Sequence, residues 1–134
     1  MGADGGEQHR IFADVDGRTD GLPAWSADGT RIAFTRCDLP DDLRLRPIPC
    51  AVWTVAPNGS GAARIADHAY GPAWSPDGRW IAYARTGPAD FTRSVFMMRS
   101  DGTCQTALLP TAGRRSYASA AWRPGTGDVK PPAC

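Results

Sequence analysis

The sequence predicts an all-β chain built from a repeated unit of four antiparallel strands, and three observations carry that reading. First, Leu22 to Arg36, LPAWSADGTRIAFTR, recurs as Gly71 to Arg85, GPAWSPDGRWIAYAR. Trp25, Ser26, Asp28, Gly29, Ile32 and Ala33 thereby match Trp74, Ser75, Asp77, Gly78, Ile81 and Ala82, and Ala120 to Gly125, AAWRPG, opens a third copy. A fixed spacing of about 48 residues marks a repeat architecture. Second, another motif alternates with the first: Val52 to Ile65, VWTVAPNGSGAARI, answers Val95 to Leu108, VFMMRSDGTCQTAL. Third, no stretch sustains a 3.6-residue apolar period, and 15 glycines and 12 prolines would interrupt one.

The elements follow in chain order. Ile11 to Asp20, IFADVDGRTD, reads as a degenerate member of the second motif, one residue short before its Asp16-Gly17 turn, and supplies two strands, C and D. Pro23 to Ile65 supplies a complete A, B, C and D, Pro72 to Leu109 supplies another, and Ala120 to Arg123 supplies a lone A, eleven strands in all. Asp-Gly or Asn-Gly between two apolar runs is a strong hairpin signal, and a type I′ turn there needs positive φ at both central residues. Gly29 and Gly78 are accordingly expected at positive φ. Strands such as Arg31 to Thr35 and Val95 to Met98 carry small or apolar side chains on both faces, as sheets covered on both sides do. The five tryptophans, Trp25, Trp53, Trp74, Trp80 and Trp122, all fall in strands and read as core.

PAWSPDGRWIAYAR followed by VFMMRSDGT resembles the TolB-type β-propeller repeat, also called the PD40 or WD40-like repeat, whose units read roughly PxWSPDGxxIAF and then IYxMxxDG. The Gly-His and Trp-Asp signatures of true WD40 repeats are missing. The resemblance implies blades of four antiparallel strands, two complete and parts of a third, over residues 10–124, between a flexible leader at 1–9 and a C-terminal tail at 125–134. Ala121-Trp122-Arg123-Pro124 resembles the PxWxP strand on which the family often closes, whereas the B strand expected before Ile11 has no counterpart in MGADGGEQHR. Propellers usually hold four to eight blades. Two blades and part of a third would leave terminal faces open, so the chain is expected either to be a fragment of a larger propeller or to pair as a homo-oligomer. In the latter, a dimer closes about six blades and each Trp122 strand joins the Ile11 strands of the other copy.

Composition narrows the function classes. The 134 residues are 42% hydrophobic and 22% charged with a net charge of +1, and no basic cluster exceeds Arg114-Arg115, so a nucleic-acid partner is not expected. No apolar run reaches the length of a membrane span, and residues 1–10 lack the apolar centre of a signal peptide. Four cysteines allow three pairings. Cys37 and Cys50 flank the polar insertion DLPDDLRLRPIP, where a bond would remove about 3 kcal/mol of unfolded-state loop entropy. Cys104 and Cys134 would then be left for each other. Disulfides imply an extracytoplasmic site: periplasm, cell envelope or secreted. The C-x12-C and C-x29-C spacings match no zinc site, and Asp14 to Asp20 opens like an EF-hand loop without its closing glutamate, so neither metal nor cofactor is expected. His9 and His68 stand without H-E-x-x-H, G-x-S-x-G or a phosphate loop, so no enzyme is expected.

In such a meander the tight A-to-B and C-to-D turns share one end, and the B-to-C and D-to-A connections share the other. That second end would be the long-loop face, made by 38–49, 66–71, 86–92 and 111–119. Its candidate binding residues are Asp41, Asp42, Arg44, Arg46, His68, Tyr70, Arg114, Arg115 and Tyr117, because loops on a rigid scaffold carry binding. The expected function is a non-catalytic scaffold for protein–protein interaction. The alternatives are the propeller portion of a larger enzyme, similar to the gating domain of prolyl-oligopeptidase-type peptidases, or a carbohydrate-binding propeller.

Overall fold

A computed structural model describes residues 10–12, 16–41, 48–87, 93–109, 122 and 134. Among them, eight strands form two four-stranded antiparallel meanders. The first sheet is β1 (Arg18–Trp25), β2 (Ile32–Asp38), β3 (Cys50–Val55) and β4 (Ala63–Asp67), and the second is β5 (Ala69–Trp74), β6 (Trp80–Thr86), β7 (Arg93–Arg99) and β8 (Thr106–Leu109). The two complete A-to-D units of the sequence are these two sheets.

The expected N-terminal C and D strands are corrected. Arg18, Thr19 and Asp20 open β1, opposite Asp38, Cys37 and Arg36 of β2. The reason lies in side-chain pairing: Asp20 takes two hydrogen bonds from the Arg36 guanidinium, both 2.7 Å, which ties this stretch to β2. A bulge then carries the strand past Leu22-Pro23. Gly21 faces Thr35 and Ala24 faces Ala33, so β1 holds one extra residue, and the second sheet repeats this between Tyr70 and Ala73. Bulges accept proline, which has no ladder donor. The residue before the proline is left-handed in both sheets, Leu22 at φ 51° and Gly71 at φ 62°. Of the expected lone A strand, only Trp122 lies within the described residues.

The turns are tight, but their type differs from the sequence reading. Gly29, Gly59, Gly78 and Gly102 are at positive φ, whereas the Asp or Asn before each is not among the positive-φ residues. Each hairpin is therefore a type I turn closed by a left-handed glycine, not type I′. The side chain selects this form. Asn58 Oδ1 accepts from Ser60 N and Oγ, and Asp101 Oδ1 accepts from Thr103 N and Oγ1, which holds the preceding residue in a right-handed turn.

The core lies between the sheets. Ala33, Val52 and Ala66 of the first pack against Ile81, Tyr83 and Met98 of the second, with Ala69 between them. Fully burying a side chain such as Val52, Ile81 or Met98 is worth about 1.5–3 kcal/mol each. Burial pushes the Tyr83 hydroxyl up to about 12 against the opposing pull of Arg85, and that hydroxyl donates to Gln105 Oε1 at 3.1 Å. Gln105 Nε2 in turn reaches the Ile65 carbonyl of the first sheet. Two more bonds cross: Gly71 N donates to Thr35 Oγ1 at 3.0 Å and Trp74 Nε1 donates to the Ala24 carbonyl at 3.1 Å. On the opposite face of the first sheet Ile32, Phe34 and Val55 carry Ile11, Phe12 and Trp53. That trio is repeat-equivalent to Ile81, Tyr83 and Met98, so one and the same face of each unit is turned towards whatever precedes it.

Candidate interaction surfaces

The hairpin turns lie at one end of both meanders, and the β2–β3, β4–β5 and β6–β7 connections lie at the other. At this second end Cys37 faces Cys50 in the β2–β3 register, and the two are bonded, with Cα atoms 4.0 Å apart. The adjacent rung is closed by Asp38 N donating to the Pro49 carbonyl at 3.0 Å. The β2–β3 connection thus leaves and re-enters the sheet through a covalent clamp. Asp41, in that connection, is exposed. A second disulfide joins Cys104, at φ 57°, to Cys134.

The 66–71 stretch is not a long loop. Ala66 and Asp67 end β4, Ala69 to Gly71 belong to β5, and His68 alone connects them. A one-residue connection requires a sharp reversal, and His68 makes it at φ 52°, its carbonyl accepting from Thr86 N at 3.0 Å. His68 is exposed, so its imidazole is available at this end. Tyr70 is half-buried in β5, its ring beneath the Arg93 guanidinium at 5.3 Å and its buried hydroxyl without a hydrogen-bond partner among the described residues. His68 and Tyr70 therefore stand two residues apart. Asp42, Arg44, Arg46, Arg114, Arg115 and Tyr117 lie outside the described residues.

The same end carries a cluster the sequence reading missed. The Arg36 guanidinium lies 4.6, 5.2 and 5.1 Å from the ring centres of Phe12, Phe34 and Trp53 while it is held by Asp20. The hydrogen bonds that Arg36 donates to Asp20 raise the Arg36 pKa further, against the effect of burial. Arg18 and Asp38 add an exposed pair at 3.0 Å. The signal was present in the repeat: Arg36 and Arg85 are equivalent, but Asp20 stands where the second unit has Ala69, and a charge replacing a buried alanine marks an altered environment. Among the described residues no group of three His, Cys, Asp or Glu side chains could hold a metal ion.

A second surface is β1 itself. Its residues are almost all exposed, whereas the equivalent β5 is buried or half-buried. Leu22 and Trp25 are each 58% exposed.

No family model and no curated protein matches the chain. Solved structures do. The chain is similar to an acylaminoacyl peptidase over 78% of its own length and 16% of the peptidase, at 17% identity and a TM-score of 0.60. It is similar to a putative TolB from Agrobacterium tumefaciens over 76% of its length and 33% of that chain, at 21% identity and a TM-score of 0.56. It also matches the β-propeller domain of the Trilobed protease from Pyrococcus furiosus over 72% of its length and 29% of that chain, at 15% identity and a TM-score of 0.56. The chain thus spans a third or less of each of these proteins. Its two stacked sheets are two blades, and the chain has the TolB-type β-propeller fold.

Proposed function

We propose that this chain is a non-catalytic propeller scaffold of an extracytoplasmic compartment that binds another protein across its long-loop end. The observation that carries the reading is the clamped β2–β3 connection. The Cys37–Cys50 bond fixes its base on two central strands, and DLPDDLRLRPIP places Asp41, Asp42, Arg44 and Arg46 within it. A loop held at its base loses less conformational freedom on binding, and interleaved acids and arginines favour a polar partner surface of mixed charge. Disulfides persist in oxidising compartments, which supports the location. Periplasm, cell envelope and secreted forms are all compatible with it.

A second reading is the propeller portion of a larger enzyme, and the likeness to an acylaminoacyl peptidase favours it. A carbohydrate site would use Tyr70 as a platform, but its ring is already covered by Arg93. The test is affinity capture from an envelope fraction on the immobilised chain and on a variant with Asp41, Asp42, Arg44 and Arg46 all changed to serine. A protein retained by the first and lost from the second is expected. Equal retention by both, or peptide hydrolysis by the purified full-length protein, would overturn the proposal.

A further inference from the structure

The two blades are repeat copies, yet they end differently on the long-loop side. In the first, the last rung of the ladder is Thr19, Cys37 and Cys50, and the disulfide closes it. In the second, the equivalent rung is His68, Thr86 and Arg93: Thr86 faces Arg93 in the β6–β7 register, and its N–H donates to the His68 carbonyl at 3.0 Å. His68 and Arg93 are exposed. One rung further in, Asp20 faces Arg36 in the first blade, whereas Ala69 faces the half-buried Arg85 in the second.

Both arginines of the second blade are positioned by aromatic rings. The Arg85 guanidinium lies over Phe96 at 5.5 Å, and the Arg93 guanidinium lies over Tyr70 at 5.3 Å. A ring occupies the face of a guanidinium and leaves the N–H donors at its edge free for a carboxylate. Arg36 uses its donors in this way: over Phe34 and Trp53, it gives Nε and Nη2 hydrogens to the two oxygens of Asp20. Among the described residues neither Arg85 nor Arg93 meets a carboxylate, and Asp67, the acid next to His68, is engaged by Arg64. Arg85 shares a sheet face with Ser94, and Arg93 shares the opposite face with Thr86, because side chains alternate along a strand. The end of the second sheet thus carries one cation on each face and an exposed imidazole at its corner.

We infer that this end of the second blade binds an acidic segment of the protein partner, with aspartate or glutamate carboxylates taken by Arg85 and Arg93. The inference rests on the reading of the chain as a protein-binding scaffold and names the chemistry of what that scaffold holds. The Arg36–Asp20 pair is its template, built on the same strands: a ring under the guanidinium and a carboxylate at its edge. Two-pronged arginine–carboxylate pairs are among the stronger hydrogen-bonded contacts. An arginine already held by a ring also loses less side-chain freedom on binding. Charge selects the second blade over the first. Arg18 with Asp38 and Arg36 with Asp20 are closed pairs, so the first blade offers little net field at this end, whereas the second attracts an acidic surface and repels a basic one.

Fluorescence anisotropy of the oxidised full chain with a labelled peptide of alternating aspartate and glycine tests this, against the same peptide carrying asparagine for aspartate. The aspartate peptide is expected to bind and the asparagine peptide to stay free. Arg85→Gln and Arg93→Gln are each expected to weaken binding about tenfold. Arg79→Gln, which removes an exposed charge at the opposite, hairpin-turn end, is expected to leave it unchanged. Arg93 is exposed, so Arg93→Gln keeps the test valid if Arg85→Gln does not fold. An aspartate peptide that stays free, or a loss from Arg79→Gln equal to that from Arg85→Gln and Arg93→Gln, would overturn the inference. Envelope capture separates it from the loop reading. A protein lost from the serine variant of the β2–β3 connection but kept by Arg85→Gln and Arg93→Gln would overturn this inference alone, and the reverse pattern would support it and overturn the loop reading.

Discussion

Asp28, Asp77 and Asp101 each organise a hairpin with a single carboxylate oxygen. Asp28 Oδ1 accepts from Ser26 Oγ, Thr30 N and Thr30 Oγ1, and Ser26 Oγ itself accepts from Arg31 N at 2.9 Å. Asp77 repeats this with Ser75 and Arg79 N, while Ser75 Oγ accepts from Trp80 N. Hydrogen bonds to the charged form lower all three pKa values below the ordinary 3.8: the Ser26 hydroxyl first for Asp28, the Ser75 hydroxyl for Asp77 and the Thr103 hydroxyl for Asp101. A depressed carboxylate pKa contributes stability that is present above the unfolded value and lost as pH falls through the folded one. The melting temperature is therefore expected to be level above about pH 5 and to fall below about pH 4. Asn58 builds the same turn without titrating, so the triple variant Asp28→Asn, Asp77→Asn, Asp101→Asn should show a shallower acid fall in thermal scans. The turn glycines separate two costs. Gly78→Ala adds only left-handed strain in open space, about 1–2 kcal/mol. Gly59→Ala adds that strain plus a Cβ placed 2.8 Å from the Ile11 carbonyl, so urea unfolding should show the larger loss for Gly59→Ala.

At the scale of elements, the Cys37–Cys50 bond spans 13 residues of sequence and joins the two central strands of the first blade. Its removal as Cys37→Ser with Cys50→Ser should cost about 3 kcal/mol, chiefly by freeing the unfolded chain. Guanidinium unfolding of the oxidised wild type and the double variant measures this. The strands were legible because Asp-Gly and Asn-Gly punctuate them and the copies confirm one another. Their beginnings were not. Leu22-Pro23 and Gly71-Pro72 look like strand starts because proline and glycine break ladders, yet a one-residue bulge carries β1 back to Arg18 and β5 back to Ala69. The stretch Arg18 to Asp20 also falls after an Asp-Gly turn, so local pattern alone gives it to the strand before. The Asp20–Arg36 and Arg18–Asp38 pairs, contacts across 16 and 20 residues, assign it to β1. His68 was hidden for a similar reason: a histidine at positive φ carries no sequence signature, and a one-residue β4–β5 connection is shorter than composition implies. Of the candidate binding residues, the exposed Asp41 and His68 stand at the long-loop end, whereas Tyr70 proves to be a strand residue engaged by Arg93.

At the scale of the whole molecule, stability rests on one blade covering the next. The Thr35–Gly71 and Ala24–Trp74 bonds, the Gln105 bridge and the apolar layer around Tyr83 all lie between the two sheets, so neither blade is expected to persist without the other. The contrast between exposed β1 and covered β5 is the same fact seen at the end of the stack. The indole hydrogens report it directly. Hydrogen exchange followed by nuclear magnetic resonance, with the five indole signals assigned by single Trp→Phe variants, compares Trp74, bonded to the Ala24 carbonyl across the blade interface, with a free indole. The stacked-blade account predicts that the Trp74 Nε1–H exchanges only when the molecule opens globally, orders of magnitude more slowly than free indole. A Trp74 indole exchanging as fast as free indole in the folded protein would contradict it.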